Sequence, residues 1–167
     1  KVEEAGGFLA SLKSGFIQEE LGKISSKRRD DISRRIEVLV GTNKYPDLTE
    51  RIPADKIPKP DKSDKIEKTD LKVTPVKPGR GADEIEKLRI AVDKAEHRPV
   101  VFLLATGNPV FARARSQFSA GFFGCAGYQI IDSEIYRNVQ DGIIAALKAR
   151  SDIVVVCSSD AEYGRVA

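Results

Sequence analysis

The sequence predicts an α/β fold: a doubly wound parallel sheet, incomplete, preceded by helices and an extended Pro/Lys-rich linker. Three observations carry this. Val100–Ala105 is an unbroken apolar run between Pro99 and Gly107, too short for a helix and apolar on both pleat faces, as a covered central strand is. Asn108-Pro109 is a helix start, with Asn as the cap and Pro where a missing N–H costs nothing. A second strand, Tyr128–Ile131, follows that helix, and a third, Ile153–Cys157, follows another. Strand, crossover helix and parallel strand open a doubly wound sheet, in which ligands sit at the carboxyl ends of strands. The loop Thr106–Asn108 is therefore the place to look for chemistry.

Composition sets the limits. The 167 residues suit one modest domain plus extensions, and 41% hydrophobic with 32% charged residues reads as globular. The net charge of +3 is small and its Lys and Arg are interleaved with Asp and Glu, which argues against nucleic acid as a partner. No run approaches a bilayer span and no signal peptide is visible, so no membrane partner is expected and the expected location is cytoplasmic. Cys125 and Cys157 read as small buried apolar groups in a reducing compartment, without metal or disulfide spacing. A start at Lys1 without Met and an end at Ala167 inside a new helix read as an excised piece.

In chain order, Val2, Ala5, Leu9, Leu12 and Phe16 predict a short amphipathic helix, weakened by Gly6 and Gly7. Ile17, Leu21, Ile24 and Ile32 predict a second, whose other face (Lys27 to Arg35) mixes both charge signs and reads as solvated. Glu37–Gly41 reads as a short strand. From Pro46 to Gly81 six of the eight prolines fall among alternating Lys and Asp/Glu, so this is a linker, expected to lack helices and a core. Ile85, Leu88, Val92 and Ala95 mark the inward face of the next helix. Val110, Ala114, Phe118 and Gly121 mark that of the following one, which Gly124 and Gly127 end. Asn138 caps a further helix with Val139, Ile143, Ala146 and Leu147 inward. Ser158-Ser159-Asp160 mark the end of the third strand, and Ala161 starts another helix.

Several of these blocks together, RRIEVLVGTNKYPD, the Lys/Pro linker, GADEIEKLRIAVDKA, FLLATGNPVFARARSQF and FFGCAGYQIID, resemble the methylmalonyl-CoA mutase family, and its small, non-catalytic subunits more than its large ones. The resemblance spans nearly the whole chain. It implies residues 1–53 as the C-terminal tail of a (β/α)8 barrel, 54–81 as the linker, and 82–167 as the N-terminal part of a flavodoxin-like, cobalamin-binding-type domain. It also implies an isomerase complex that interconverts methylmalonyl-CoA and succinyl-CoA with adenosylcobalamin, in which a catalytic large subunit partners this chain as a heterodimer.

The resemblance also sets expectations for the site. Catalytic relatives carry Asp-x-His-x-x-Gly after the first strand, the His ligating cobalt. Counted back without gaps from Gly127-Tyr128, those positions fall at Val110, Ala112 and Arg115, none of which can do that work. After the third strand, Ser158 is kept from the Ser-x-Leu pattern while Asp160 replaces Leu. The only histidine, His97, precedes the first strand and reads as an exposed helix-terminal residue. The expected reading is therefore no catalytic residue, no metal, and no cofactor held by the degenerate loop of Thr106, Gly107, Asn108, Val110, Ala112 and Arg115, with Ser158 a weak remnant. The alternatives are a corrinoid-binding module that works without histidine, or a phosphate-binding module using Thr106-Gly107-Asn108 at a helix N-terminus. With strands in the order 2-1-3, Ile153–Cys157 is expected to be an open edge through which the chain could self-associate, with Val155→Lys as the probe.

Overall fold

In the computed structural model, which describes residues 1–52, 73–76 and 79–166, the strand expected at the centre is there. β1 (Val100–Thr106) pairs in parallel with β2 (Gln129–Tyr136) on one side and β3 (Ile153–Cys157) on the other. The order β2–β1–β3 is the opening half of a flavodoxin-like sheet. Six helices complete the described chain: α1 (Phe8–Ser14), α2 (Phe16–Ser33), α3 (Asp83–Lys94), α4 (Pro109–Cys125), α5 (Val139–Lys148) and α6 (Tyr163–Val166).

β1 is apolar throughout because both its faces are covered. Phe102 and Leu104 pack with Ala146 of α5, while Ala105 packs with Ala112 of α4 and Cys157 of β3. The two crossover helices thus lie on opposite faces of the sheet. β2 is longer than expected, running to Tyr136, and after a register shift opposite Leu103–Ala105 its last residue pairs with Thr106 at the end of β1. Both cysteines are buried and free.

The inward faces of three helices differ from the apolar periodicity, on α4 and α5 because small residues let a helix approach a sheet. On α4 the buried residues are Ala112, Ser116, Gly124 and Cys125, whereas Val110, Phe111, Phe118 and Phe122 face outward. On α5 they are Gly142 and Ala146, with Ile143, Ile144 and Leu147 exposed. On α3 Arg89 and Val92 are buried and Leu88 is exposed, since Arg89 turns inward to pair with Glu50 at 3.1 Å. Gly142 sits so close to β1 that a Cβ there would meet Leu104 Cγ at 2.6 Å. Gly142→Ala is therefore expected to lower the unfolding free energy by about 1–3 kcal/mol, read from urea unfolding, despite the better helix propensity of Ala.

The N-terminal segment differs more. The single helical pattern from Val2 to Phe16 is broken at Gly15, whose left-handed φ of 85° separates α1 from α2. Of the residues expected on one side of α2, Ile32 is buried but Leu21 and Ile24 are exposed. The charged face is solvated, as expected, with Arg28 bidentate on Glu37 and Arg34 on Asp30. Glu37–Gly41 forms no strand, only an isolated bridge between Val40 and Lys44. Instead the loop wraps the buried Asn43, which donates to the carbonyls of Ile32 and Glu37 and accepts from the Leu39 N–H. A side chain that satisfies three backbone groups replaces a strand ladder here.

The next segment straps this region to the α/β unit. Asp93 of α3 accepts from Arg51 Nη1 (2.9 Å) and the Ile52 N–H (3.2 Å), and Leu48 lies against Gly124, where a Cβ would overlap it. Most of the expected linker, 53–72 and 77–78, lies outside the described residues; the flanking stretches that are described, 46–52 and 73–76, hold no helix or strand.

Candidate functional site

At the carboxyl end of the sheet the chain leaves β1 through Thr106, which is buried and donates through Oγ1 to the Tyr136 carbonyl (3.0 Å). Gly107 follows with φ of 79°, a conformation that favours glycine. Asn108 then caps α4: its side chain accepts from the Val110 N–H (3.0 Å) and Pro109 takes the first helical position. β3 exits beside this loop into Ser158, Ser159 and Asp160. The structure therefore brings Thr106, Gly107, Asn108 and Ser158 together.

It separates the other three expected positions. Val110 is exposed on the first turn of α4. Ala112 points into the core against Ala105 and Cys157, with no exposed surface. Arg115 lies on the outer face, where Nη2 pairs with Asp160 Oδ1 at 2.7 Å. Asp160 is open to solvent, so that pair is worth little on its own. His97 lies at the opposite, amino end of the sheet. It is exposed, but beyond the end of α3 rather than on it, and its Nε2 is 2.8 Å from Asp152 Oδ2, which also accepts from the Val100 N–H. These bonds to the Val100 N–H and His97 hold the Asp152 carboxyl below the usual carboxylate range.

The residue that organises the loops is Glu162, just before α6. Its Oε2 accepts from Ser159 Oγ (2.6 Å), Ser158 Oγ (3.0 Å), the Asn108 N–H (3.1 Å) and the Ser159 N–H (3.4 Å). This fan of uncharged donors, Ser159 Oγ foremost, stabilises the ionised form and brings its pKa down to about 2. The sequence carried a signal for it: Ser159-Asp160-Ala161-Glu162 has capping-box spacing at the start of a helix. Nothing in the sequence pointed to its reach across to Asn108.

Chemically, this end of the sheet is a cradle of neutral donors around one internal carboxylate. Among the described residues no group of three or more His, Cys, Asp or Glu side chains is placed to hold a metal ion. A cleft of about 460 Å³ lies elsewhere, between the 40–52 segment and α3; its arginines Arg80 and Arg89 are paired with Glu86 and Glu50. No described helix is long and apolar enough to cross a membrane.

Comparison with known proteins gives the same family as the sequence resemblance. A family model described as methylmalonyl-CoA mutase matches residues 1–112. The methylmalonyl-CoA mutase small subunit of Porphyromonas gingivalis is 42% identical over 166 residues, covering 99% of this chain and 26% of that protein. The small subunit of Streptomyces virginiae is 26% identical over 176 residues, covering all of this chain and 26% of that protein. A probable small subunit of Mycobacterium tuberculosis is 28% identical over 169 residues, covering 97% and 24% respectively. The chain thus spans about a quarter of the length of the curated relatives it matches.

Proposed function

Because the chain belongs to the methylmalonyl-CoA mutase family, we propose that it is part of a non-catalytic small subunit of an adenosylcobalamin-dependent mutase that interconverts methylmalonyl-CoA and succinyl-CoA. Its role in that reading is assembly with a catalytic large subunit as a heterodimer. Residues 1–53 are then the end of a barrel domain, 54–81 the linker, and 82–167 the first part of a cobalamin-binding-like domain.

One observation carries the non-catalytic half of this reading. The position that a cobalt-ligating histidine would take by count is Ala112, fully buried between Ala105 and Cys157. The loop itself presents no imidazole, and its space is filled by the Glu162 carboxylate, held by Asn108, Ser158 and Ser159. The residues present do not fit a corrin cofactor.

Three measurements test the reading. Titrating the chain into adenosylcobalamin is expected to leave the corrin absorption bands unchanged, whereas a saturable band shift at micromolar chain would favour the corrinoid-binding alternative. Ala112→His is expected to restore nothing. Buried against β1, the imidazole overpacks the core, and the melting temperature falls by several degrees without any spectral change. For the assembly role, a tagged catalytic large subunit co-expressed with the chain is expected to retain it through size exclusion. Separate elution would count against a heterodimer.

A further inference from the structure

We propose that Glu162 is a built-in occupant of the oxyanion cradle at the carboxyl end of the sheet, a latch that ties the β1–α4 loop to the exit of β3 and excludes anionic ligands from it. The proposal rests on the non-catalytic reading above and gives that reading a physical cause.

The capping box explains only part of what Glu162 does. Its bonds from Ser159 Oγ and the Ser159 N–H are local, three residues apart, and start the turn that leads into α6. The same oxygen also accepts from the Asn108 N–H, fifty-four residues away, and from Ser158 Oγ, on a residue with no exposed surface. Neither bond is needed to start α6. Both are what an oxyanion would receive on entering this end of the sheet: the first free N–H at the mouth of the seventeen-residue α4, and a buried hydroxyl aimed from the neighbouring strand.

Space is accounted for as well as charge. Gly107 carries no side chain, and a Cβ built on it would overlap the Glu162 carboxylate. The carboxylate therefore rests directly on the loop backbone and leaves no room for a second anion above it. An external anion has to displace a group tethered to the same chain, which enters without the translational cost an external ligand bears. Outside the carboxylate, the exposed Arg115–Asp160 pair joins the same turn to α4.

The latch is tested on the 167-residue chain with Glu162→Ala and Glu162→Gln, using inorganic phosphate as the probe and potassium chloride at matched ionic strength as the control. Wild type is expected to melt at the same temperature with and without phosphate. Glu162→Ala is expected to melt several degrees lower and to regain most of that in phosphate but not in chloride, because the vacated donors bind the ion. Glu162→Gln keeps the space filled and is expected not to respond. A folded Glu162→Ala chain indifferent to phosphate, or a wild type that responds as strongly as the variant, would overturn the proposal. If Glu162→Ala does not fold, the Asn108 amide resonance decides: it should move in Glu162→Gln and stay fixed when phosphate is added to wild type. An amide unmoved by Glu162→Gln would refute the latch. Adenosylcobalamin titration of the same proteins keeps the two readings apart, since corrin binding by wild type defeats the non-catalytic reading whatever phosphate does.

Discussion

Leu104→Ala is expected to lower the unfolding free energy by about 2–5 kcal/mol, a large share of the roughly 5–15 kcal/mol that holds a typical domain. Leu104 has no exposed surface and packs with Phe102 and Ala146 on the α5 face of β1. The hole cannot close by backbone movement, because β1 is hydrogen-bonded to β2 on one edge and to β3 on the other. The measurement is urea unfolding followed by circular dichroism, with the shift in midpoint read at unchanged slope. The double variant sharpens it. Gly142 faces the Leu104 side chain, so Gly142→Ala, costly alone, should cost little or even stabilise once Leu104 has been shortened. Additive losses would mean that α5 is not seated on β1 at this point.

What was legible in the sequence is what local chemistry decides. β1 announced itself because a strand covered on both faces has no polar alternation to hide it, and Asn108-Pro109 and Asn138 marked helix starts because each side chain supplies a cap within its own turn. The 2-1-3 order came from the resemblance to a flavodoxin-like domain, since these elements and right-handed crossovers alone allow other orders.

The helix faces were not legible. Periodicity assumes that the larger apolar residues point inward, yet α4 seats Ala112 and Ser116 and turns Val110 and Phe118 outward. Contact distance to the sheet, rather than hydrophobicity alone, selects the buried side. Arg35 lies 5.5 Å from the Phe118 ring centroid and 5.0 Å from that of Phe122, so part of the outward stripe is met by a cation. The supposed strand at Glu37–Gly41 failed because Asn43 satisfies the backbone groups a ladder would have used. At the site, the loop positions could be counted from the resemblance, whereas the partnership of Glu162 with Asn108 is a tertiary fact with no local trace.

The second large effect concerns association. β3 is the outer strand of the described sheet, and Ile153–Cys157 carries no proline or lysine to discourage pairing. Apolar side chains are open as well: Val154 on this strand is 45% exposed, and on α5 Ile144 and Leu147 are 50% and 73% exposed. We expect the isolated 167-residue chain to self-associate through this edge, most simply as a two-fold dimer in which the two β3 strands pair. The geometry also chooses the probe. Val155 packs against Ala105, Ala112 and Cys157, so the lysine suggested by sequence at that position would damage the core and report on folding instead. Val154, in register with Phe102 and half open to solvent, accepts a charge without that damage. Sedimentation velocity over a concentration series should show wild type growing from monomer toward dimer while Val154→Lys stays monomeric with an unchanged circular dichroism spectrum. Wild type that remains a monomer at the highest concentration, or a Val154→Lys chain that associates just as strongly, would show that the β3 edge does not drive pairing.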